Sequence, residues 1–488
     1  MTACALSYGP QTISAHSTQL WDAVKFEVLN STEEDELATE ALSAIRAIAE
    51  TLSFGLKSPP PAASPLARYL SGIVKECLKL LQEPQQKQAK PAGNILSKSA
   101  TASTVAHSFI VEKTMPALLL IHGDADGLAK QRALMEILNL LFQSTLQIFG
   151  TWGDLTAEQV LSNPLIEYTD KLFEMYSRAL MGSLREEMSL RITALKGLVL
   201  LCRIRRLFQE SEIGMVVQYF DQVLLEVEEN EEIKELALQG LKDISKIKPN
   251  LIMDITFPAF MAQLPDSEKE VDPSKPYTAT LEALAKLSLG RSVFQVLLTR
   301  LLNKLDVVLR GKVEVPRFIQ TIKANLVKGK SGPMYPRAIL STLLYVLRKK
   351  PESSQEDIRT YFARLVVPLL TKTITPIIDN SSEFSDFRIM ADDSILDVTG
   401  RLFNIIIRSL DFEEQKNVSR QLINIFVLGI PSDYIPKTHA EIVARDFKPL
   451  QPTTNREHAG CIILFTYALA GLRREVWPSG SSVPQNGR

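Results

Sequence analysis

Cysteine and histidine are scarce in this chain, and neither is clustered. Cys4, Cys77, Cys202 and Cys461 are its four cysteines, and the closest two are 73 residues apart. No Cys-x-x-Cys pair exists, so neither a zinc ribbon nor a thioredoxin-type site can be built from local spacing. The five histidines (His16, His107, His122, His439, His458) are equally scattered. Few, dispersed cysteines fit a reducing compartment. Charge of one sign is missing too: 55 basic residues face 56 acidic ones, for a net charge of −1. The overall basic excess expected of a nucleic-acid binder is therefore absent, and charge-driven binding to a membrane surface loses support. Residues 1–10 show no basic segment or cleavage pattern of a signal peptide. The longest nearly uninterrupted apolar run, Gly460 to Leu472, falls short of the ~20 residues that span a bilayer, which predicts a buried helix. Strand-like alternation is nearly missing, its best case being Asp254 to Phe257.

Catalytic signatures are missing as well. Leu118 to Ile121 followed by His122-Gly123 is like the strand and oxyanion loop of an α/β-hydrolase, but no Gly-x-Ser-x-Gly elbow occurs. A helix end with a Gly cap is the simpler expectation. Asp124-Ala125-Asp126-Gly127 places its glycine too early for a calcium loop and lacks a donor. Asp126 instead predicts an N-cap for a helix from Leu128 to Phe142, its carboxylate accepting free backbone N–H groups. Gly329-Lys330-Ser331 ends like a phosphate loop, yet Ala324 stands where the first glycine is required. That leaves Lys328 and Lys330 as a small basic loop. No carboxylate pair, Cys–His set or Ser–His–Asp set has a spacing that argues for catalysis. No catalytic, cofactor-binding or metal residue is assigned, no cofactor is expected, and an enzyme is not expected.

What the chain does have is helical periodicity. Its 488 residues are 45% apolar and 23% charged, ordinary for a folded protein. The length suits about three compact domains or one elongated repeat array. Leu37, Ala41, Ile45, Ile48 and Leu52 follow steps of four, four, three and four, one face of an α-helix. Trp21, Val24 and Val28 do the same. The pattern Ala-Leu-x-x-Ile/Leu-x-x-Ile/Leu then recurs, as Ala41-Leu42-Ile45-Ile48, Ala133-Leu134-Ile137-Leu140, Ala194-Leu195-Leu198-Leu201 and Ala237-Leu238-Leu241-Ile244. A partial copy lies at Ala283-Leu284-Leu287 and a weaker one near Ala89. The offsets of 43 and 46 residues between the copies at 194, 237 and 283 match HEAT or armadillo units, each a helical hairpin. The small Ala admits a close neighbour while Leu and Ile fill the shared core. The expected fold is all-α, a HEAT/armadillo-type α-solenoid of stacked hairpins over residues 1–477, against an irregular helical bundle as the alternative. Loops are expected near 54–66, where prolines 59–61 and 65 cluster, and near 265–276, 379–386 and 429–452, with a disordered tail at 478–488.

Charged clusters complete the reading. Glu226, Glu228, Glu229, Glu231, Glu232 and Glu235 predict an exposed turn with acids at a helix N-terminus, or else an attractor for a basic partner. Arg203, Arg205 and Arg206 either complement a helix dipole or face an acidic partner. Arg348-Lys349-Lys350 is too short a basic run for a nuclear signal.

Several stretches are family-like: Ala5 to Glu27 (ALSYGPQTISAHSTQLWDAVKFE), Glu83 to Leu96 (EPQQKQAKPAGNIL), Asp124 to Phe142 (DADGLAKQRALMEILNLLF) and Leu464 to Trp477 (LFTYALAGLRREVW). Together they resemble the fungal branch of the methyl-methanesulfonate-sensitivity-nineteen, or methionine-requiring-eighteen, family. The resemblance implies a HEAT-repeat scaffold of the cytosolic iron–sulfur assembly targeting complex. It implies protein partners: a β-propeller subunit, a small assembly subunit, and apo iron–sulfur enzymes such as DNA helicases and polymerases of repair, replication and transcription. It implies no cluster on the scaffold itself, no direct nucleic-acid or membrane contact, and a place in nucleus and cytoplasm. Family members are about twice as long, so this chain is expected to lack their N-terminal array and the last repeats that dock the assembly partners. Partner-binding residues are not carried over, because no short motif marks one. A HEAT adaptor of nuclear transport or phosphatase type is the alternative reading of the same repeats.

Overall fold

Several helices in this chain begin where the sequence supplies a cap. Ser64 accepts a hydrogen bond from the Ala67 amide at 3.2 Å, with Pro65 opening the helix behind it. Ser103 accepts from the Ala106 amide at 3.1 Å. Asp411 and Glu414 cap reciprocally, each carboxylate accepting from the other residue's amide, at 2.8 and 3.1 Å. Such exchanges satisfy N–H groups that the first turn leaves unpaired. The computed structural model describes residues 2–30, 36–57, 59–151, 163–184, 187–226, 229–267, 277–310, 332–378, 385–429, 434, 447–451 and 456–476. Among these residues there is no strand, only an isolated antiparallel bridge between Thr151 and Ile204. The chain forms two compact units, Met1–Thr256 and Phe257–Arg488.

The first unit contains α1 (Thr2–Ser7), α2 (Pro10–Leu29), α3 (Glu36–Ser53), α4 (Pro65–Leu80), α5 (Ala89–Ala100), α6 (Thr104–Gly123), α7 (Leu128–Phe149), α8 (Thr169–Met181), α9 (Met188–Arg203), α10 (Glu210–Leu225), α11 (Glu231–Ile247) and the short α12 (Pro249–Leu251). Two layers result. Helices α3, α5, α7, α9 and α11 pack side by side in that order, each against the next. Their hairpin partners α2, α4, α6, α8 and α10 form the second layer. This is the stacked-hairpin arrangement of an α-solenoid. Every repeated Ala-Leu copy in this unit lies in the first layer. The copies at 194 and 237 are buried throughout, and the weak copy near Ala89 is α5, the member between α3 and α7.

The closest approaches use glycine rather than the repeated alanine. A Cβ on Gly197 would lie 1.9 Å from the Tyr176 ring, and one on Gly240 would lie 2.6 Å from Phe220 and 2.8 Å from Val199. Both glycines stand three residues after the Ala of their copy, so Ala-Leu-x-Gly-Leu is the tighter motif. Over Gly197 sits a buried polar knot. The Tyr176 hydroxyl donates to Asn139 Oδ1 at 2.9 Å, and Asn139 Nδ2 donates to the Thr193 carbonyl at 3.0 Å. Three helices are thus pinned in register by bonds that satisfy the buried Asn139 amide.

The best strand-like stretch proves helical, and one local expectation, the Asp126 cap, fails. Asp254 to Phe257 is no strand, because Ile252–Thr256 forms a single π-helical turn. Ile252 and Thr256 are buried while Asp254 between them is exposed, so a four-residue step overrides the two-residue alternation. Asp126 caps nothing. Gly127, at φ 95°, is the residue immediately before α7, which leaves the Asp126 side chain one position too early to reach the first-turn amides. Helix α7 also runs on to Phe149, beyond the expected Phe142. Leu118 to Gly123 is the end of α6, as expected, though Gly123 is its last helical residue rather than a cap beyond it. Helix α6 is long and apolar enough by composition to cross a membrane. It packs on α4, α5 and α7, with half of that apolar window buried.

The second unit contains α13 (Phe257–Gln263), α14 (Tyr277–Leu287), α15 (Arg291–Arg310), α16 (Met334–Lys349), α17 (Gln355–Arg359), α18 (Val367–Ile378), α19 (Asp393–Ser409), α20 (Phe412–Ile423), α21 (Arg456–Gly460) and α22 (Ile462–Ala470). The order α14, α16, α19, α22 repeats the side-by-side layer, and the partial Ala283-Leu284-Leu287 copy lies in its first member. The apolar run at 460–472 is helical as far as Ala470, divided at Cys461 between α21 and α22, and its last two residues lie beyond the helix. Of the expected loops, 54–57 and 59–64 are non-helical, and α4 already starts at Pro65. Ser385–Ala391 forms a 3₁₀ turn, so the loop predicted to reach 386 ends earlier. Residues 268–276, 379–384, 430–433, 435–446, 452–455 and 477–488 lie outside the described residues.

Candidate interaction groove

The charged clusters seen in sequence have different fates. Glu229, expected on an exposed turn, is turned inward and pairs with Arg191 at 2.9 and 2.6 Å through both guanidinium nitrogens. The two side chains are 6% and 1% exposed, Arg191 first. Arg191 Nε completes its bonding on the Leu180 carbonyl at 3.1 Å. The pair therefore locks α9 to the turn before α11 and has no surface to offer. Glu231 and Glu232 occupy the first turn of α11, as expected, where the helix dipole favours them. Glu228 lies outside the described residues, as do Lys328, Lys330 and the whole Gly329-Lys330-Ser331 segment. Arg203 ends α9, and Arg206 adopts a left-handed backbone at φ 58°. Among the described residues no three His, Cys, Asp or Glu side chains are grouped to hold a metal ion. Cys77, Cys202 and Cys461 are buried, and burial pushes each thiol up, Cys461 to about 12. His107 is buried against Thr145 and Phe149, and burial pushes it down to about 3.

The short basic run at 348–350 leads to a different place. The C-terminal end of α16, the start of α17, the second half of α19 and one residue of α22 enclose a groove of about 680 Å³. Four of its lining side chains are cationic (Arg348, Lys350, Arg401, Arg408) and none is acidic. Leu347, Ile358 and Ile405 supply apolar wall. Lys350 is held in place: Asp357 takes it at 2.5 Å, and it stacks over Phe294 and Tyr361, with 2% of its side chain exposed. Arg401 pairs with Asp397 at 2.9 Å, and the Tyr467 hydroxyl donates to the same carboxylate at 2.6 Å. Burial pushes Asp397 up, but the bonds from Tyr467 and Arg401 outweigh it and hold the carboxyl below its usual range. Asn404 Nδ2 donates to the Tyr467 carbonyl at 3.0 Å.

The position of Tyr467 is set by a glycine. A Cβ on Gly400 would stand 2.4 Å from the Tyr467 ring, so α22 can lie this close to α19 only because residue 400 has no side chain. Arg348 and Arg408 are different from the other two cations. Both are exposed, and neither guanidinium has a hydrogen bond or ion pair among the described residues. Four acids of this unit are already engaged: Asp357 with Lys350, Asp397 with Arg401, and Asp411 and Glu414 with Arg359. Sequence reading missed the groove because its lining runs from Leu347 to Tyr467 over three successive hairpins. Only Arg348 and Lys350 were visible, as a basic run with no destination.

Comparison with known proteins adds lineage. A family model described as RNAPII transcription regulator C-terminal (MMS19_C) matches residues 280–486, which include the groove. The DNA repair/transcription protein mms19 of Schizosaccharomyces pombe is 23% identical over 458 residues, covering 93% of this chain and 42% of that protein. The MMS19 nucleotide excision repair protein homolog of Xenopus laevis is 22% identical, covering 88% of this chain and 40% of its own length. The protein of the same name in Mus musculus is 21% identical over 484 residues, covering 98% of this chain and 44% of its own length. This chain thus spans less than half the length of these curated relatives. Among solved structures, importin beta in two crystal conditions covers 94% and 96% of this chain, at 13% and 12% identity and TM-scores of 0.33 and 0.27. Likeness at that level adds nothing to a fold already given by the helix order.

Proposed function

This chain belongs to the MMS19 family, and on that premise we propose that it is a non-catalytic scaffold of DNA repair and transcription that acts by holding other proteins. Its finer task in this reading is delivery of iron–sulfur clusters. The chain holds a β-propeller and a small assembly subunit beside apo enzymes such as DNA helicases and polymerases, in cytoplasm and nucleus. The observation that carries the proposal is the match to the fission yeast DNA repair/transcription protein over 93% of this chain. The layered hairpins support it, since stacked repeats present long surfaces built from many neighbouring helices. Two proteins held on one such surface meet at a raised effective concentration, so transfer between them quickens without any chemistry by the scaffold.

Affinity capture of the full chain from its own cells, with identification of the co-purifying proteins, tests this. Assembly subunits together with apo iron–sulfur enzymes are the expected recovery. Recovery of a small transport GTPase with its cargo, or of phosphatase subunits, would overturn the proposal.

A further inference from the structure

The groove in the second unit is chemically asymmetric: four cations, apolar wall, no acid. Two of the cations already have acidic partners, Lys350 a buried one in Asp357 and Arg401 a half-exposed one in Asp397, four residues away on its own helix. Arg348 and Arg408 stand at the C-terminal ends of α16 and α19, where a positive charge suits the helix dipole. A dipole role does not use the planar fork of donors, and neither fork has a partner among the described residues. Arginine forks match carboxylates in bidentate geometry. Leu347 and Ile405 line the same groove, one residue and one helical turn from an open arginine on their own helices.

We propose that this groove receives an acidic, leucine-bearing peptide segment of a protein partner. Carboxylates of the segment engage Arg348 and Arg408, and an apolar side chain lies against Leu347, Ile358 and Ile405. The inference rests on the scaffold reading and names one place where the scaffold grips. A nucleic-acid strand fits the same surface less well. Nucleic-acid backbones are held through the many phosphates that Lys and Arg neutralise along a basic stripe, whereas the groove offers two open guanidiniums and an apolar wall.

The test is fluorescence anisotropy on the full chain, with a labelled peptide of about twelve residues alternating aspartate or glutamate with leucine and serine. A lysine-for-acid version of the peptide and an oligothymidine strand serve as comparison probes. The expected result is saturable binding of the acidic peptide alone. It weakens by about tenfold or more in the Arg348→Ala/Arg408→Ala variant and vanishes in Arg348→Glu/Arg408→Glu. The Arg46→Glu/Arg68→Glu variant, which changes net charge equally at two exposed arginines of the first unit, leaves binding intact. Equal loss in both glutamate variants would reduce the effect to net charge and overturn the proposal. So would oligothymidine binding as tight as the peptide's and lost in the same groove variant. Should the peptide fail while the capture experiment recovers the assembly partners, the groove is refuted and the scaffold stands. Thermal unfolding of each variant verifies that loss of binding is not loss of fold.

Discussion

Arginine does two opposite jobs in the two units. In the first, Arg191 is sealed with Glu229 and the Leu180 carbonyl, its donors spent inside the protein. In the second, Arg348 and Arg408 rim a groove with their donors unspent. What separates them is the company of a buried acid. Glu229 is carried inward by the turn before α11 to meet Arg191, whereas neither Arg348 nor Arg408 has an ion pair among the described residues. A satisfied buried pair fixes one helix against the next. Unsatisfied exposed cations cost the fold almost nothing and keep their bonding capacity for something else.

Breaking the sealed pair should therefore have the largest effect. Arg191→Ala leaves the Glu229 carboxylate buried and uncompensated, which costs about 3–5 kcal/mol. Chemical denaturation followed by circular dichroism should show the first unit's transition falling to lower denaturant. Next comes Gly197→Ala, which forces Tyr176 out of the knot with Asn139, for a loss of about 1–3 kcal/mol. The same transition reports it, and a side chain tolerated without loss would mean the layer is looser than described.

Asp221 is a buried acid with no ion pair among the described residues. Its oxygens lack a well-formed hydrogen bond, and burial pushes it up to about 7, only partly countered by the nearby Thr256 hydroxyl. The folded state holds this proton between the unfolded value of 3.8 and about 7, so the stabilisation is full below the lower value and lost as pH rises through the upper one. Asp221→Asn should flatten that decline and raise stability at pH 8 by roughly 2 kcal/mol. Denaturation midpoints at pH 5 and pH 8 check it. The smallest effect belongs to the open arginines: Arg348→Ala and Arg408→Ala should each move stability by no more than about 0.5 kcal/mol, which a thermal scan will show.

The regular part of the architecture was readable. Period-3.6 stripes and the recurring Ala-Leu pattern marked α3, α7, α9, α11 and α14, and all five fall in side-by-side layers. The readable signal fades after Leu287, because α16, α19 and α22 fill the same layer with Ile339-Leu340, Ile395-Leu396 and Leu464, without the leading Ala-Leu. Packing volume can be kept while the letters change. What a linear reading loses is direction. Nothing in the run from Glu226 to Glu235 says that Glu229 points inward, and nothing near Asp126 says that Gly127 will take the bend. The groove was illegible for a related reason, since it gathers side chains from α16, α17, α19 and α22 whose separation in the chain is set by hairpin length and not by any motif.

The side-by-side layer of the first unit has a consequence for how the chain comes into being. Helix α5 meets α3 and α7, α9 meets α7 and α11, and the bonds that pin them join residues 54 and 37 positions apart. Every docking event is therefore nearly local, and local contacts form quickly. A hairpin pair formed anywhere in this layer can seed its neighbours on either side, without requiring the last residue before the first ones can settle.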